Sequence, residues 1–471
     1  MRQAAIGWPW LLVVALTGCA SVDLAAGFPE VSAIIEERAS ARITWNRGTD
    51  LDMEVAEQLD ALLRKRLSVE DAVQVALLNN RDLQALYADL GVAQADLVQA
   101  GLFRNPVLDA AVLFPLSGAR PDLQLGVVVS FLDAFYVPLR KLVAGARFEE
   151  TKLLVAGAVL DLAARVRRAF YEHLANGQML ELRAAIVDAL TASLDVSRRL
   201  HEAGNITDLD LARDRAVTEA SRLAQRSAEV AVRQSRERLN ELMGTWGDRT
   251  AWETEARLPD IPPDPLDVEG IEQLALTRSI DLSQARQRIV VAGQQLGYDR
   301  ATALLPETEL GAEAEQEEGW KVGPIVSIPV PLFDQGQARV GRAVMGLRRA
   351  QQAHYGLAVR IRATARAARD RMLGARDRAL YYRDILLPLQ ARIVNEAQLQ
   401  YNAMQIGIFQ LLRDRERQIE TGVAYLDALR EYWLARADVL HVASGRLPAS
   451  SGFRSVGDAG APMMREGANG H

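Results

Sequence analysis

The sequence predicts a mostly α-helical protein with a small membrane β part, built from one unit written twice. Three observations predict it. Two sequence blocks recur at a fixed offset. Two helical stretches are far longer than the ~11–12 residues usual in globular proteins. Four short segments alternate apolar and polar residues.

The repeats come first. Residues 67–83 and 266–282 match at 8 of 17 positions without a gap, and residues 201–215 and 401–415 match at 6 of 15. The offsets are 199 and 200, so both blocks share one register. Repeat one runs over residues 67–244 and repeat two over 266–445. The segment 245–265 between them ends in LPDIPPDP, whose prolines exclude helix and central strand, and reads as a linker packed on a surface. Residues 19–66 read as a preceding arm, and 446–471, rich in Gly, Ser, Ala and Pro, as a flexible tail.

Each repeat has the same order. A first helix is expected over 69–103 and 268–305, stopping at Pro106 and Pro306. Two strands follow. A very long helix is expected over 139–202 and 337–403, then a short turn, then a returning helix over 209–243 and 409–444. The turn carries Gly204 and Asn205 in one copy and Gly407 in the other. A helix of some 64 residues is about 96 Å long, so it must pack side by side with others, as coiled coils do.

The strands are expected at 107–114, 122–131, 307–315 and 320–330. Leu123, Leu125, Val127, Val129 and Phe131 share one face, opposite Gln124, Gly126 and Ser130, with Val128 an exception. Glu307, Glu309, Glu313 and Glu315 share a face, opposite Leu310, Ala312 and Ala314. The same period fits a half-buried sheet in water. Four strands cannot close a barrel, for which ~8 is the usual minimum. Three copies would supply twelve, and the glutamate row would then line a wet lumen, because a carboxylate facing lipid is costly. Residues 115–121 and 316–319 would be the outer loops, with Trp320 and Phe114 near an interface or simply packed.

Residues 1–18 have the length and order of a bacterial export signal. They lead into Leu16-Thr17-Gly18-Cys19, which resembles a lipobox. Cys19, the single cysteine, is then the expected site of acylation, palmitate included; an ordinary signal peptide with a chance cysteine is the alternative. In lipoproteins Ala20 in place of Asp implies outer-membrane sorting. Several acyl chains give stable anchoring. No later run of ~18 apolar residues exists, so a crossing of the membrane would have to be a closed barrel.

Composition excludes other classes. With 49% hydrophobic and 25% charged residues the chain is globular, and a formal net charge of −6 argues against a nucleic-acid partner. One cysteine forms no intrachain disulfide. The histidines His173, His201, His354, His441 and His471 have no i,i+4 partner, so no metal site is read. No P-loop, dinucleotide fingerprint or hydrolase motif is present, so neither cofactor nor enzyme activity is expected.

These residues resemble the TolC family of outer-membrane factors. The likeness is carried by the twin openings at 67–77 and 266–276, the twin turn blocks at 203–215 and 403–415, and GPIVSIPVPLFDQGQ at 323–337. The lipobox matches the lipoprotein branch of that family. The resemblance implies a homotrimer, with a twelve-stranded barrel in the outer membrane continuous with a twelve-helix coiled-coil tunnel in the periplasm. It implies as partners a periplasmic adaptor, an inner-membrane pump of the RND type and outer-membrane lipid. Passive conduction of drugs, metal ions or other toxic small molecules is the implied role. A type I protein-secretion duct and a non-conducting coiled-coil lipoprotein are the alternatives.

By position, the resemblance places a periplasmic gate at Gln410 and Arg413, with Asp414 beside them and Asp208 and Asp210 as the counterparts in repeat one. Gly204, Asn205 and Gly407 become the adaptor-contact tips. Gln410 and Arg413 depart from the acidic residues common there. Arg213-Asp214-Arg215 and Arg413-Asp414-Arg415 also read as plain inter-helix salt bridges, each worth little at a surface.

Overall fold

Local signals and long-range hydrogen bonds together set where each helix starts and stops. The computed structural model describes residues 21–114, 121–264, 266–304, 308–316 and 319–448. The arm holds helices α1 (Phe28–Ala39) and α2 (Asp50–Arg64). Val31 and Ile35 of α1 are fully buried, and Thr49 and Asp52 form a capping box at the start of α2.

The expected first helix is two helices in each repeat. In repeat one, strand β1 (Arg66–Leu67) precedes α3 (Val69–Asn79) and α4 (Arg81–Ala100). The break falls at Asn80, whose backbone is extended. Its side chain accepts from Leu83 N at 2.9 Å and donates to Leu242 O at 2.9 Å.

Strands β2 (Val107–Leu113) and β3 (Asp122–Ser130) lead into α5 (Asp133–Glu202), a helix of 70 residues. At 1.5 Å per residue it is about 105 Å long. It starts earlier than expected because Pro138, inside its second turn, forfeits one backbone bond without ending the helix. Helix α6 (Asp208–Met243) returns.

The linker carries a 3₁₀ turn (Gly247–Thr250) and strand β4 (Glu253–Thr254), which pairs in parallel with β1. It then straps the helices. Leu258 N donates to Gln178 Oε1 at 3.1 Å, Trp433 Nε1 to Pro259 O at 2.9 Å, and an Arg376 nitrogen to Pro263 O at 2.9 Å.

Repeat two holds α7 (Ile271–Thr277) and α8 (Ile280–Leu304), then β5 (Glu309–Gln316) and β6 (Trp320–Ser327). The expected 320–330 strand stops at Ser327, because Pro329 and Pro331 cannot donate to a ladder. The second long helix is α9 (Gln337–Tyr381), a π-helical turn (Tyr382–Leu386) and α10 (Leu387–Asn402). The π turn precedes Pro388, which has no N–H to offer the preceding turn. Helix α11 (Ile408–Ala443) closes the unit.

Helix α5 packs against α4, α6, α8 and α11, while α9 packs against α8 and α11. The duplication persists in the contacts. The α3–α4 break meets the end of α6, where Asn79 Nδ2 donates to Gly244 O at 2.7 Å. The α7–α8 break meets the end of α11, where Ile280 N donates to Gly445 O at 2.9 Å. Gly244 and Gly445 are both left-handed (φ 66° and 94°), and a side chain at either would strike a backbone carbonyl across the joint.

Candidate conduit: the sheet and the helix tips

One antiparallel sheet has the order β2-β3-β5-β6, and among the described residues its outer strands pair on one side only. Its register sorts the side chains into rows. One face carries Ala110, Leu125, Ala314 and Val322 in one row and Leu108, Val127, Ala312 and Pro324 in the next. This apolar face is uncovered: Leu108 is 77% exposed and Val322 75%. A water-soluble half-buried sheet would cover it.

The opposite face carries Glu309, Glu313 and Glu315 of β5. Glu315 stands between Gln124 and Lys321, and Gln124 Nε2 donates to Glu315 Oε1 at 3.1 Å. Glu307 and Cys19 lie outside the described residues, as do residues 115–120 and 317–318 of the outer loops and 449–471 of the tail.

At the other end of the helices are the two turns. In the first, Gly204 is left-handed (φ 73°) and Asn205 N donates to Leu200 O at 2.8 Å. Thr207 caps α6: its hydroxyl donates to Asp210 Oδ2 at 2.7 Å and accepts from Asp210 N at 3.2 Å. Asp210 is thus a capping residue, with an Arg213 nitrogen at 3.6 Å. Asp208 is almost fully exposed, 2.6 Å from His201 Nε2.

The second turn differs from the expected tip. Gly407 is an N-cap residue with extended backbone (φ −79°, ψ 159°) and is the counterpart of Thr207. The left-handed position falls to Met404 (φ 59°), the counterpart of Gly204. Gln405 N donates to Gln400 O at 2.9 Å, repeating the first turn's geometry with a residue that resists it.

The expected gate residues separate into groups. Gln410 accepts from an Arg413 nitrogen at 3.3 Å on the exposed side of α11, whereas Asp414 is buried, 3.9 Å from an Arg417 nitrogen. A cavity of about 680 Å³ lies between α5, α6 and α11; Asp210 and Arg413, from different repeats, both line it. Asp208, Gln410 and Asp414 are not in its lining. Arg183, which the sequence did not single out, also lines it, and so does Asp214, read from the sequence only as part of a salt-bridge triplet; Asp214 accepts from Ser197 Oγ. No motif marks Arg183.

Midway along α5, Asp161 meets His441 of α11 and Arg446. Arg446 also bonds Asp281 of α8, and Leu447 N donates to Asp281 Oδ2 at 3.0 Å. The expected flexible tail is therefore fixed at its start. Burial opposes ionisation of Asp161, but the bonds from His441 and Arg446 outweigh it and hold the carboxyl below its usual range. Burial raises Asp281 above that range, against the pull of Arg446.

No helix among the described residues is long and apolar enough to cross a membrane, and no cluster among them could hold a metal ion.

No protein-family model matches the chain. It is 21% identical over 377 residues to the cobalt-zinc-cadmium resistance protein CzcC of Cupriavidus metallidurans, covering 79% of this chain and 89% of that one. The solved structure of CusC, described in terms of transmembrane channel formation, matches with a TM-score of 0.66 at 17% identity, over 80% of this chain and 92% of that one. The Campylobacter jejuni CmeC outer membrane channel matches with a TM-score of 0.64 at 16% identity, over 87% and 92%. The chain has the fold of the TolC family of outer-membrane factors. Both of these solved structures are described as channels.

Proposed function

We propose that three copies form an outer-membrane channel that conducts toxic small molecules or metal ions out of the cell. One observation carries this reading: a four-stranded sheet with an uncovered apolar face and, among the described residues, two open edges sits at the end of the α5 helix, which is about 105 Å long. Lipid is the solvent such a face needs, and pooling four strands from each of three copies removes every edge. The nine residues of β3 extend about 30 Å, or about 23 Å along the barrel axis at a tilt of ~40°, close to the ~25 Å apolar band of outer-membrane barrels.

In this assembly the α5 and α9–α10 rods and their returning helices form a twelve-helix periplasmic tunnel. The turns at Gly204 and Met404 face a periplasmic adaptor, which joins the tunnel to an inner-membrane pump of the RND type. Asp210 and Arg413 form part of the closed entrance. Acylated Cys19 anchors each copy. The name of the CzcC relative makes cobalt, zinc and cadmium the cargo to test first.

The direct test is topology. A cysteine at position 117 or 318 should react with an impermeant maleimide added outside intact cells, and one at position 205 should not. Reaction at none of these, with all reacting after lysis, would leave the sheet in the periplasm and end the channel reading.

A further inference from the structure

The two joints of the duplicated unit are built from different chemistry. Where the α3–α4 break meets the end of α6, the bridging side chains are neutral. Asn79 Nδ2 donates to Met243 O at 2.9 Å, Asn80 Nδ2 to Leu242 O at 2.9 Å, and Thr245 Oγ1 to Asn240 Oδ1 at 3.0 Å. Where the α7–α8 break meets the end of α11, Arg446 stands in the place of Thr245 and the bonds are ionic. Arg446 bonds Asp161 of α5 through two nitrogens and Asp281 of α8 through the third. Leu447 N donates to Asp281 Oδ2 at 3.0 Å, and His441 Nε2 lies 3.0 Å from Asp161 Oδ1. Two carboxylates thus share one guanidinium. Asp82, the counterpart of Asp281 at the offset of 199, is exposed, and no bond from it crosses its joint among the described residues.

The two carboxylates are not equally held. Asp161 takes two guanidinium nitrogens and His441, whereas Asp281 takes one guanidinium nitrogen and one amide. Asp281 also lines a cavity of about 230 Å³ between α8 and α9, room enough for water to reach it. Arg288 and Arg360 line the same cavity, and Arg288 is held by Glu150 at 2.7 Å. The other charges around the joint have their own partners or places. Asp438 is bonded by Arg168 of α5 and Arg371 of α9, and Arg165 of α5 lines a second cavity with Arg446. Arg38 of α1, beside Glu37 and Arg278, reaches the carbonyls of Arg278 and Ser444. The first proton to enter this joint therefore goes to Asp281, in accord with burial raising it while Asp161 is held low. A charge on His441 would strengthen its bond to Asp161, so it does not loosen the α5 side.

We infer that Asp281 is a proton-operated catch on the repeat-two joint. With Asp281 ionised, Arg446 ties the end of α11 to both α5 and α8. A proton on Asp281 removes its charge, and Arg446 is then held by Asp161 alone. The end of α11 stays fixed to α5 but is freed from α8. Gly445 (φ 94°), whose carbonyl accepts from Ile280 N at 2.9 Å, is the pivot. The fold binds this proton more readily than the unfolded chain does, above the ordinary 3.8, so the catch opens within a folded protein. The repeat-one joint, bridged by amides and a hydroxyl, keeps its bonds through the same change. Mild acid thus loosens one half of the duplicated unit and leaves the other closed.

The test is hydrogen exchange of the purified full chain at ~pH 7 and ~pH 4.5, corrected for the intrinsic effect of pH on amides. Protection in peptides spanning 278–283 and 443–448 should fall several-fold at the lower pH, while that in 79–84 and 242–247 should hold. Asp281→Asn, which fixes the uncharged state, should show the low protection in the repeat-two peptides at both values. Should this variant fail to fold, the comparison of the two joints in the wild type decides alone. An equal loss at both joints, no loss at either, or an Asp281→Asn variant that keeps the wild-type response to pH overturns the catch. None of these outcomes bears on the channel reading, on which the catch does not rest.

Discussion

Arg446 donates its Nε hydrogen to Asp161 Oδ1 at 2.9 Å, tying the segment beyond α11 to the middle of α5. The same guanidinium reaches Asp281 at the start of α8. Gly157 makes room for it: a side-chain carbon there would lie 2.9 Å from the guanidinium carbon. One arginine thus clamps three elements at the joint between the stacked helices.

Arg446→Ala should lower stability on the order of 2–3 kcal/mol, by leaving two partly buried carboxylates without their cation. The value sits at the lower end because Asp161 keeps 32% of its side chain exposed. Gly157→Ala should displace the clamp and cost about 1–3 kcal/mol. Chemical denaturation of the two variants beside the wild type measures both.

Stability should also fall in mild acid through His173. Burial, with the nearby Arg236 charge, pushes this imidazole down from 6.5 to about 4. It sits 2.9 Å from Ser235 Oγ and edge-on to Trp252. The unfolded chain takes up the proton below pH 6.5 while the fold refuses it until about pH 4. The contribution is therefore complete above pH 6.5 and is lost as pH falls toward 4. A shift of this size corresponds to about 3 kcal/mol at ~1.4 kcal/mol per pH unit. Melting curves of His173→Gln should show a shallower fall across that window.

At the second tip, Met404→Gly should relieve a left-handed backbone that costs a non-glycine residue about 1–2 kcal/mol. Hydrogen exchange of the amides of residues 403–406 should slow several-fold. The matching change in the first tip, Gly204→Met, should speed exchange there.

The two faces of the sheet should respond oppositely to charge. Leu125→Arg, on the uncovered apolar face, should cost about 2–4 kcal/mol near the mid-plane of a membrane and reduce assembled protein in membrane fractions. Gln124→Arg, one residue away on the polar face, should assemble. Heat-resistant oligomer on a gel distinguishes them.

Much of this architecture was legible because its periods are strong. Alternation along β3 and β5 places each side chain on a face before any pairing is known, and the repeated blocks put both turns in register. What was hidden depends on partners distant in sequence. No glycine or proline marks the break at Asn80; its side chain caps the next helix on Leu83 N and is fixed from afar by a hydrogen bond to Leu242 O. Nothing near Arg446 announces Asp161, 285 residues away. Gly407 looked like the turn glycine, but the offset of 200 assigns the strained position to Met404.

The central claim is that the open sheet edges of three copies close on one another. The mass of the protein purified from membranes in detergent, measured free of the micelle contribution, tests it most directly. The account predicts three chains. A single chain, stable and well dispersed with its sheet intact, would contradict it.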